Sequence, residues 1–262
     1  MLVIGELING MYKNVEGAIK SKDKATIQKL AKDQLAAGAD TLDVNIGPHA
    51  PDPKEAMKWL IDTIREVTPA PLAIDSTKKD IIELGLQLGG EGSMINSTSA
   101  ADEKLDIYVP MAKKYKARLI GLTMDKKGIP SDKNAKCELA AKILAKSMEE
   151  GLPLEDVYID PIVLPVNVAQ AQCATLLEVI REFKLISDPP PQTVVGLSNV
   201  SQGAKDRPLI NRVYLVMAIA NGLTGAIVDP LDKELMDAMI TAELLLNKSI
   251  YCDSYLNAYR KK

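Results

Sequence analysis

The feature that most constrains the fold is an alternation, along the whole chain, of short β-branched runs and longer amphipathic segments. Each run has the length and composition of a buried strand, and the segments between them carry apolar residues at helical spacing. In the segment 54–67, for example, Met57, Leu60 and Ile64 recur along one helical face. The predicted strands are Leu2–Ile8, Thr41–Ile46, Leu72–Asp75, Ser93–Asn96, Arg118–Met124, Val157–Asp160, Thr193–Leu197 and Ala226–Asp229.

The number of these units bounds the architecture. Eight strand–helix units in 262 residues match the size and period of a (β/α)8 TIM barrel, which is an α/β fold. An open doubly wound sheet is the competing arrangement, and it usually carries a G-x-G-x-x-G loop after the first strand. The segment Gly5-Glu-Leu-Ile-Asn-Gly10 does not match that loop. Because no Gly/Ser-rich linker interrupts the pattern, residues 1–262 are predicted to form a single domain.

Composition excludes several classes of protein. A net charge of −3 and an isoelectric point near 5.4 disfavour nucleic acid and anionic membranes as main partners. No apolar run has the length of a membrane span, and the first residues lack the basic region of a signal peptide. The sequence therefore predicts a cytoplasmic protein.

Cysteine and histidine are too scarce to form the common metal and nucleophile sites. Cys137, Cys173 and Cys252 are an odd number of widely spaced residues, and they are expected to be buried thiols rather than disulfides or zinc ligands. His49 is the only histidine, which excludes a multi-histidine metal site and disfavours a Ser-His-Asp triad. Chemistry in this chain is therefore expected to depend on carboxylates, amides, hydroxyls and a few cations.

Polar side chains stand where the predicted strands end. In strand order they are Glu6 and Asn9, Asp43 and Asn45, Asp75, Asn96, Asp160, Ser198 and Asn199, and Asp229. Strand five is the exception, because it ends in Thr123-Met124. In a (β/α)8 barrel all of these ends lie at one face, where active sites are found. The sequence therefore predicts a functional site rich in carboxylates and carboxamides.

The segment after the seventh strand has the highest density of such groups. Between the apolar run that ends at Leu197 and a helix predicted from Pro208, the chain has many hydrogen-bonding groups and almost no bulky hydrophobic residue. These groups are Ser198, Asn199, Ser201, Gln202, Asp206, Arg207 and Asn211. Polar groups at the end of a buried strand usually serve a ligand, although a Ser/Asn-rich turn before a capped helix is an equally simple interpretation.

The chemistry of the predicted mouth constrains its ligand. Few cations accompany the strand ends, and the last two loops lack the glycine-rich turn that holds phosphate in many barrel enzymes. Carboxylates and carboxamides suit a neutral heterocycle, because a carboxylate accepts two parallel N–H bonds and an amide both donates and accepts. A magnesium site formed by several Asp residues is the alternative.

Five short motifs resemble those of the pterin-binding methyltransferases. The motifs are Leu42-Asp-Val-Asn-Ile-Gly-Pro48, Ile74-Asp-Ser-Thr77, Met94-Ile-Asn-Ser-Thr98, Tyr158-Ile-Asp-Pro161 and Gly196-Leu-Ser-Asn-Val-Ser201. The match runs in order from Gly5 to Asp229, and the helix that follows extends it to Ser254. Within the family, the set is most similar to the methyltransferases that act on methyltetrahydrofolate and a corrinoid/iron–sulfur protein in the anaerobic acetyl-CoA pathway. The resemblance implies a TIM barrel of the pterin-binding type.

Two related groups are less similar. Dihydropteroate synthases use basic residues around strand eight, whereas this chain reads Ala226-Ile-Val-Asp-Pro230 there. The folate region of cobalamin-dependent methionine synthase typically has an aromatic residue where Gln202 stands, and it belongs to a much longer chain. The chain also lacks the D-x-H-x-x-G motif of cobalamin-binding domains, so the resemblance implies that a partner protein carries the corrinoid.

The resemblance implies a reaction. The N5 methyl group of 5-methyltetrahydrofolate would move to Co(I) of the corrinoid on a corrinoid/iron–sulfur protein, and N5 would need a proton or a strong hydrogen bond as the C–N bond breaks. Asn199 is predicted to contact N5 and to favour the charge that develops there. The proton would come from solvent through a network that includes Asp43, Glu6 or water. No bound metal is predicted, and the partners are folate and the corrinoid protein.

The resemblance also implies the residues that bind the pterin. Asp160 and Asp75 are predicted to hold the 2-amino and N3 edge, with Asn96 on the other side of the ring. The remaining predicted contacts are Gln202 and Arg207 to the pterin or the aminobenzoyl-glutamate tail, Gly196 and Ser198 around the pocket, and Glu6 and Asn9. Asp75 could instead cap the following helix, and Arg207 could instead pair with Asp206.

Two further expectations come from the family. A homodimer is implied, with Trp59, Tyr251 and Tyr255 as candidate contacts. The alternative function is another pterin-binding or metal-dependent small-molecule enzyme on the same barrel, such as a protein similar to dihydropteroate synthase.

Overall fold

Eight parallel strands close into a barrel in chain order, in a computed structural model that describes residues 1–260. The strands are β1 (Leu2–Asn9), β2 (Thr41–Asn45), β3 (Leu72–Asp75), β4 (Met94–Ser99), β5 (Arg118–Leu122), β6 (Val157–Asp160), β7 (Gln192–Gly196) and β8 (Gly225–Val228). The last strand pairs with the first, in parallel like every other neighbouring pair. The predicted (β/α)8 TIM barrel is confirmed.

Helices cover the outside of the barrel. They are α1 (Lys13–Ser21), α2 (Lys24–Ala36), α3 (Pro53–Arg65), α4 (Lys79–Gly89), α5 (Asp102–Tyr115), α6 (Lys133–Glu150), α7 (Val166–Phe183), α8 (Arg207–Ala220), α9 (Lys233–Leu245) and α10 (Tyr255–Tyr259). Two helices, α1 and α2, connect β1 to β2. Asp side chains cap the first turns of α2, α3, α6 and α9, because they accept backbone N–H groups that lack helical partners.

The inside of the barrel is a packed core rather than a channel. Six strands each contribute one buried side chain to a single cluster, as expected for layered packing in this fold. The cluster consists of Ile4, Ala73, Met94, Ile120, Tyr158 and Val194. A second and larger cluster lies between the strands and the helices, and Phe183 and Leu60 are among its fully buried members. The interior cluster therefore closes the barrel below the C-terminal strand ends.

The structure corrects several predicted boundaries. The fifth strand ends at Leu122 instead of Met124, because the backbone turns back there and Met124 N donates to Leu122 O at 2.8 Å. The seventh strand ends at Gly196, and the next three residues form a short 3-10 turn. The closing helix ends at Leu245 rather than Ser249, with Asn247 in the left-handed region (φ 58°).

The expected burial of the thiols is wrong. Cys137 and Cys173 are only partly buried, and Cys252 is exposed. Cys252 lies in the irregular and mostly exposed stretch between α9 and α10. No helix within residues 1–260 has the length and apolar character needed to cross a membrane.

Candidate functional site

Side-chain alternation along the strands directs the predicted polar residues to one mouth of the barrel. Residues two apart in a strand share a face, so each residue two positions after an interior side chain also points inward. The resulting pairs are Ile4 with Glu6, Ala73 with Asp75, Met94 with Asn96, Tyr158 with Asp160, Val194 with Gly196, and Ile227 with Asp229. Asp43 is paired with Ala73 across β2 and β3, which places it on the same interior side. The mouth is therefore lined by carboxylates and amides directly above the interior core.

The fifth strand contributes to this mouth in a different way. Leu122 occupies its inward position, as an aliphatic neighbour of Asp160 in the β5–β6 pairing. Thr123, the next residue, donates from its backbone N and from Oγ1 to the carbonyl oxygen of Asp160, at 3.0 and 3.1 Å. The strand that lacks a polar end therefore fixes the backbone of its polar neighbour.

Two β-bulges lie beside predicted site residues. The register of β1 on β2 shifts between Gly5 and Ile8, and the register of β4 on β5 shifts between Ile95 and Thr98. Glu6 lies within the first irregularity, and Asn96 lies within the second. Bulges redirect side chains beside active sites, and here they fall at two of the polar positions.

The bulge in β1 is held from the helical layer. Gln34 of α2 is fully buried, and its Oε1 accepts the N–H of Leu7 at 3.0 Å. Gly5 leaves room for that amide, because a Cβ at Gly5 would lie only 2.4 Å from Gln34 Oε1. This contact was not predictable from the sequence, because a Gln within an amphipathic helix resembles an ordinary surface residue.

Two amide–carboxylate hydrogen bonds connect neighbouring strands at the mouth. Asn45 Nδ2 donates to Asp75 Oδ2 at 2.7 Å, and Asn96 Nδ2 donates to Asp43 Oδ1 at 2.9 Å. The alternative that Asp75 caps the next helix is not observed, since the N-cap of α4 is Lys78 and no side chain accepts there. Asp75 instead faces the mouth.

Asp43 and Asp75 are difficult to ionise. Burial raises the pKa of Asp43 well above its usual value, and the nearby Asp75 and Glu6 raise it further, while the hydrogen bond from Asn96 opposes this. Burial also raises the pKa of Asp75, and the hydrogen bond from Asn45 acts in the opposite direction. Burial therefore favours the protonated form of both carboxyl groups relative to carboxyl groups in water.

Asp160 is the most constrained carboxyl group at the mouth. It is 7% exposed, and its Oδ1 accepts the N–H of Ile162 at 2.7 Å. Burial raises its pKa to about 7, while the Ile162 hydrogen bond and the positive charge of Lys136 lower it. Lys136 lies on α6 and donates to the carbonyl oxygen of Pro161 at 2.7 Å. The sequence did not indicate this lysine.

Glu6 and the turn after β7 form a second polar cluster. Ser198 Oγ donates to Glu6 Oε1 at 2.7 Å. Burial raises the pKa of Glu6 to about 7, and Asp229 raises it further, while the Ser198 hydrogen bond and Arg207 lower it. Arg207 donates to Ser201 Oγ at 3.1 Å and to the carbonyl oxygen of Ser198 at 3.2 Å. The alternative ion pair between Arg207 and Asp206 is not observed among residues 1–260, so Arg207 braces the turn that carries Ser198 and Asn199.

Asn199 folds back toward the barrel from an exposed turn. A Cβ built on Gly196 would lie 3.0 Å from Asn199 Nδ2. Because position 196 points inward, the amide of Asn199 lies over the mouth beside Gly196. The φ of Gly196 is −75°, which any residue adopts, so the glycine is needed here for space rather than for backbone freedom.

Two of the predicted contact residues make no hydrogen bond to the polar side chains described above. Gln202 is exposed beyond the turn. Asn9 Oδ1 accepts the N–H of Met11 at 2.9 Å, which is a local turn rather than a contact across the mouth. Both residues nevertheless belong to loops at the same end of the barrel.

Two clefts open at this end. The first lies between the loops after β2 and β3 and is lined by Asn45, Asp75 and Thr77, among others. The second lies beside β1, β7 and β8 and is lined by Glu6, Tyr12, Ser198, Arg207 and Asp229, among others. Within residues 1–260, no group of three or more His, Cys, Asp or Glu side chains has an arrangement that could hold a metal ion. The mouth thus offers hydrogen-bonding groups to an extended polar ligand.

Comparison with known proteins identifies the family. A model of pterin binding enzymes matches residues 13–229, which is most of the chain, and the chain belongs to this family. The membership in the pterin-binding methyltransferases that the motifs predicted is confirmed.

The individual relatives fall into two groups. The methylcorrinoid:tetrahydrofolate methyltransferase of Eubacterium limosum is 30% identical over 266 residues, which cover 100% of this chain and 97% of that protein. The methionine synthase of Mycobacterium tuberculosis is 28% identical over 241 residues, which cover 87% of this chain but only 20% of that protein.

Solved structures share the barrel at low sequence identity. DHPS of Yersinia pestis with a pterine–sulfa conjugate superimposes with a TM-score of 0.70 at 16% identity, covering 95% of this chain and 94% of that one. The dihydropteroate synthase of Coxiella burnetii in complex with pteroic acid gives the same values. At this identity the likeness shows the fold alone.

Proposed function

We propose that this chain transfers a methyl group between N5 of tetrahydrofolate and the cobalt of a corrinoid that a partner protein carries. The observation that supports this most is the mouth of carboxylates and amides, in a chain that belongs to the pterin binding enzymes. The full-length similarity to a methylcorrinoid:tetrahydrofolate methyltransferase supports the same reaction class.

The pterin would bind through the acidic side chains at the strand ends. In this proposal Asp160 and Asp75 accept the N–H groups of the 2-amino and N3 edge, and Asn96 contacts the opposite side of the ring. A carboxylate accepts two parallel N–H bonds, which makes an inward-pointing Asp a good partner for an aminopyrimidinone. Gln202 and Arg207 would contact the outer part of the folate, where their exposure leaves room for the aminobenzoyl-glutamate tail.

Asn199 would act at N5. When the methyl group leaves N5, the electron pair of the C–N bond remains on nitrogen, so that N5 must accept a proton or a strong hydrogen bond. An amide beside N5 donates a hydrogen bond to the charge that develops there, and it does so without being an acid itself. The location of Asn199 Nδ2 next to Gly196 supports this role.

The proton would pass through the carboxyl groups near β1 and β2. Burial and the nearby Asp75 raise the pKa of Asp43, which favours its protonated form, and Asn96 would connect it to the pterin side of the mouth. Glu6 is a second candidate because its pKa lies near 7 and Ser198 connects it to the Asn199 turn. In the opposite direction the same groups would take the proton from N5.

The partner is proposed to be a corrinoid/iron–sulfur protein, as the motif resemblance implies, with the chain acting in the acetyl-CoA pathway. The name of the Eubacterium limosum relative supports a second candidate, a methylcorrinoid protein that donates its methyl group to tetrahydrofolate. Because a catalyst accelerates a reaction and its reverse through the same transition state, one mouth would serve either partner.

The assembly is proposed to be a cytoplasmic homodimer in which residues 1–262 act as one domain. Among the predicted contacts, Trp59 and Tyr255 pack partly against the core, and only Tyr251 is largely exposed. A better candidate for the dimer contact is the outer face of α7 and α8, where exposed apolar side chains surround an apolar groove. Leu209, Val213 and Met217 line this groove, and Val168 is a further exposed apolar side chain on α7.

Methyl transfer to a free corrinoid tests the proposal. The protein is mixed anaerobically with 5-methyltetrahydrofolate and cob(I)alamin in the presence of a chelator, and methylcobalamin is followed by absorbance. We expect transfer in this direction and, with methylcobalamin and tetrahydrofolate, in reverse. A parallel assay with dihydropterin pyrophosphate and p-aminobenzoate tests the alternative similar to dihydropteroate synthase. Condensation in that assay, or absence of methyl transfer in both directions, would contradict the proposal.

A further inference from the structure

Lys136 is a buried cation that the proposed reaction does not use. It lies on α6 with 1% of its surface exposed, and its ammonium donates to the carbonyl oxygen of Pro161 at 2.7 Å. No carboxylate within residues 1–260 lies within ion-pair distance of it. Burial of an ammonium in this way lowers its pKa and costs folding free energy. A cost of this kind suggests that the charge has a function in the native protein.

Lys136 contacts Pro161, in the loop that follows Asp160. Pro161 directly follows Asp160, and the N–H of Ile162 donates back to Asp160 Oδ1 at 2.7 Å. Ile162 has a φ of 65°, which is an unfavourable left-handed conformation for a β-branched residue. Thr123 holds the carbonyl oxygen of Asp160 from the other side. Lys136 therefore helps to hold a strained loop whose geometry sets the direction of the Asp160 carboxyl group.

Lys136 is also the charged group that acts on Asp160. On the β5 side Asp160 faces uncharged residues, namely Leu122 and Thr123. On the other side, β7 pairs with the two preceding residues of β6 through Gln192 and Thr193, which are uncharged too. The positive charge of Lys136 favours the ionised form of Asp160, and burial of Asp160 favours the neutral form. The other carboxyl groups at the mouth influence one another, since Asp43 responds to Asp75 and Glu6, and Glu6 responds to Asp229.

We propose that Lys136 is a positioning residue that holds the Asp160–Ile162 loop and keeps the Asp160 carboxyl group ionised for pterin binding. This inference rests on the proposed function, in which Asp160 holds the 2-amino and N3 edge. An ionised carboxyl group accepts both N–H groups of that edge. In a protonated carboxyl group, the O–H donor would face an N–H donor of the pterin and could not bond to it. Folate binding therefore selects the ionised form.

The test separates charge from structure by measuring pH dependence. Lys136→Met removes the charge and keeps most of the side-chain volume. Lys133→Met is the matched control on the same helix, where Lys133 pairs with the partly exposed Glu182. The pKa of Asp160 is measured in the ligand-free variants by carboxyl carbon-13 NMR, with Asp160→Asn to assign the resonance. The affinity for 5-methyltetrahydrofolate is then measured from about pH 6 to about pH 8.5, a range that brackets the raised pKa of Asp160.

The proposal predicts a pH-dependent loss. In Lys136→Met the pKa of Asp160 rises by about one unit, so affinity falls about tenfold at the acidic end of the range and recovers to within about threefold at the alkaline end. Lys133→Met follows the wild type throughout. Should Lys136→Met not fold, Lys136→Gln retains a donor toward Pro161 without the charge, and the same comparison applies.

Two results would overturn the proposal. One is an unchanged pKa of Asp160 in the variant, and the other is an affinity loss of the same size at every pH, which would indicate a structural role only. The NMR measurement needs no ligand, so it also separates this inference from the proposed function. A shifted pKa in a protein that does not bind tetrahydrofolate would contradict the function and leave the effect of Lys136 on Asp160 intact.

Discussion

At the scale of single residues, the buried carboxyl groups at the mouth of this barrel lower the stability of the fold. Asp43, Asp75, Asp160 and Glu6 are largely withdrawn from water, and burial raises the pKa of each of them. Apolar residues at the same positions would extend the interior core and stabilise the fold. The retention of carboxyl groups there is what a ligand-binding site requires, and it means that removing one of them should stabilise the ligand-free protein.

Asp160→Asn tests this cost. The pKa of Asp160 is about 7 in the native state and about 3.9 in the unfolded chain. Between these two pH values the native state therefore binds a proton that the unfolded chain does not. The free energy of unfolding of the wild type therefore decreases as pH rises through this window. Asn keeps the acceptor for the Ile162 N–H and does not titrate. We expect the stability gain of Asp160→Asn to grow by about 2–3 kcal/mol between about pH 5 and about pH 8.5.

Urea denaturation at the two pH values measures this difference. Asp33→Asn, which removes a surface carboxylate paired with Lys29, is the control and should show almost no pH-dependent change. Equal gains for Asp160→Asn at both pH values would show that burial does not raise the pKa of this carboxyl group.

At the scale of elements, short strands and the turns that follow them position the site. The turn after β7 is the clearest case, because Gly196 faces inward and Asn199 packs against it three residues later. Two hydrogen bonds hold the same turn: Arg207 of α8 donates to Ser201, and Ser198 donates to Glu6 of β1. The position of the Asn199 amide therefore depends on the absence of a side chain at Gly196.

Gly196→Ala should impair the reaction without unfolding the protein. The new methyl group would lie 3.0 Å from Asn199 Nδ2, which is too close, so the amide must move by a few tenths of an ångström. Because the φ of −75° suits alanine, the loss of stability should stay below about 1 kcal/mol. A misplaced catalytic group costs up to about a hundredfold per ångström, so we expect a rate of methyl transfer reduced about tenfold.

The control for this variant is Gly17→Ala in α1. A Cβ there meets nothing within 4 Å, and alanine in a helix interior is favourable, so neither activity nor stability should fall. Single-turnover rates of methyl transfer and thermal melts are measured for both variants. A Gly196→Ala protein with an unchanged rate would remove the Asn199 amide from the reacting centre.

Most of the fold was predictable because its signals are local. β-branched runs and helical spacing identify strands and helices, and strand ends identify the polar residues of the mouth, such as Asp75, Asn96 and Asp160. The bulges in β1 and β4 were not predictable, since they depend on pairing with neighbouring strands and, for β1, on the buried Gln34. Lys136 was missed for a similar reason, because only the folded chain buries it beneath the loop after β6.

At the scale of the whole molecule, the barrel would leave the reacting end of the proposed folate accessible from outside. The packed interior closes the barrel from below, and the two clefts beside the predicted site residues open at the C-terminal strand ends. A second substrate that is bound to another protein must therefore approach this mouth from outside. In the proposed reaction this second substrate is the corrinoid of a partner protein.

The most direct test of the account is single-turnover methyl transfer by Asn199→Ala, with 5-methyltetrahydrofolate and a Co(I) corrinoid mixed rapidly under anaerobic conditions. Loss of one donor to a developing charge costs roughly 2–4 kcal/mol of transition-state stabilisation, and folate affinity should fall much less. Asn134→Ala, which alters an exposed amide at the start of α6, should retain the wild-type rate. A transfer rate for Asn199→Ala equal to that of the wild type would contradict the account.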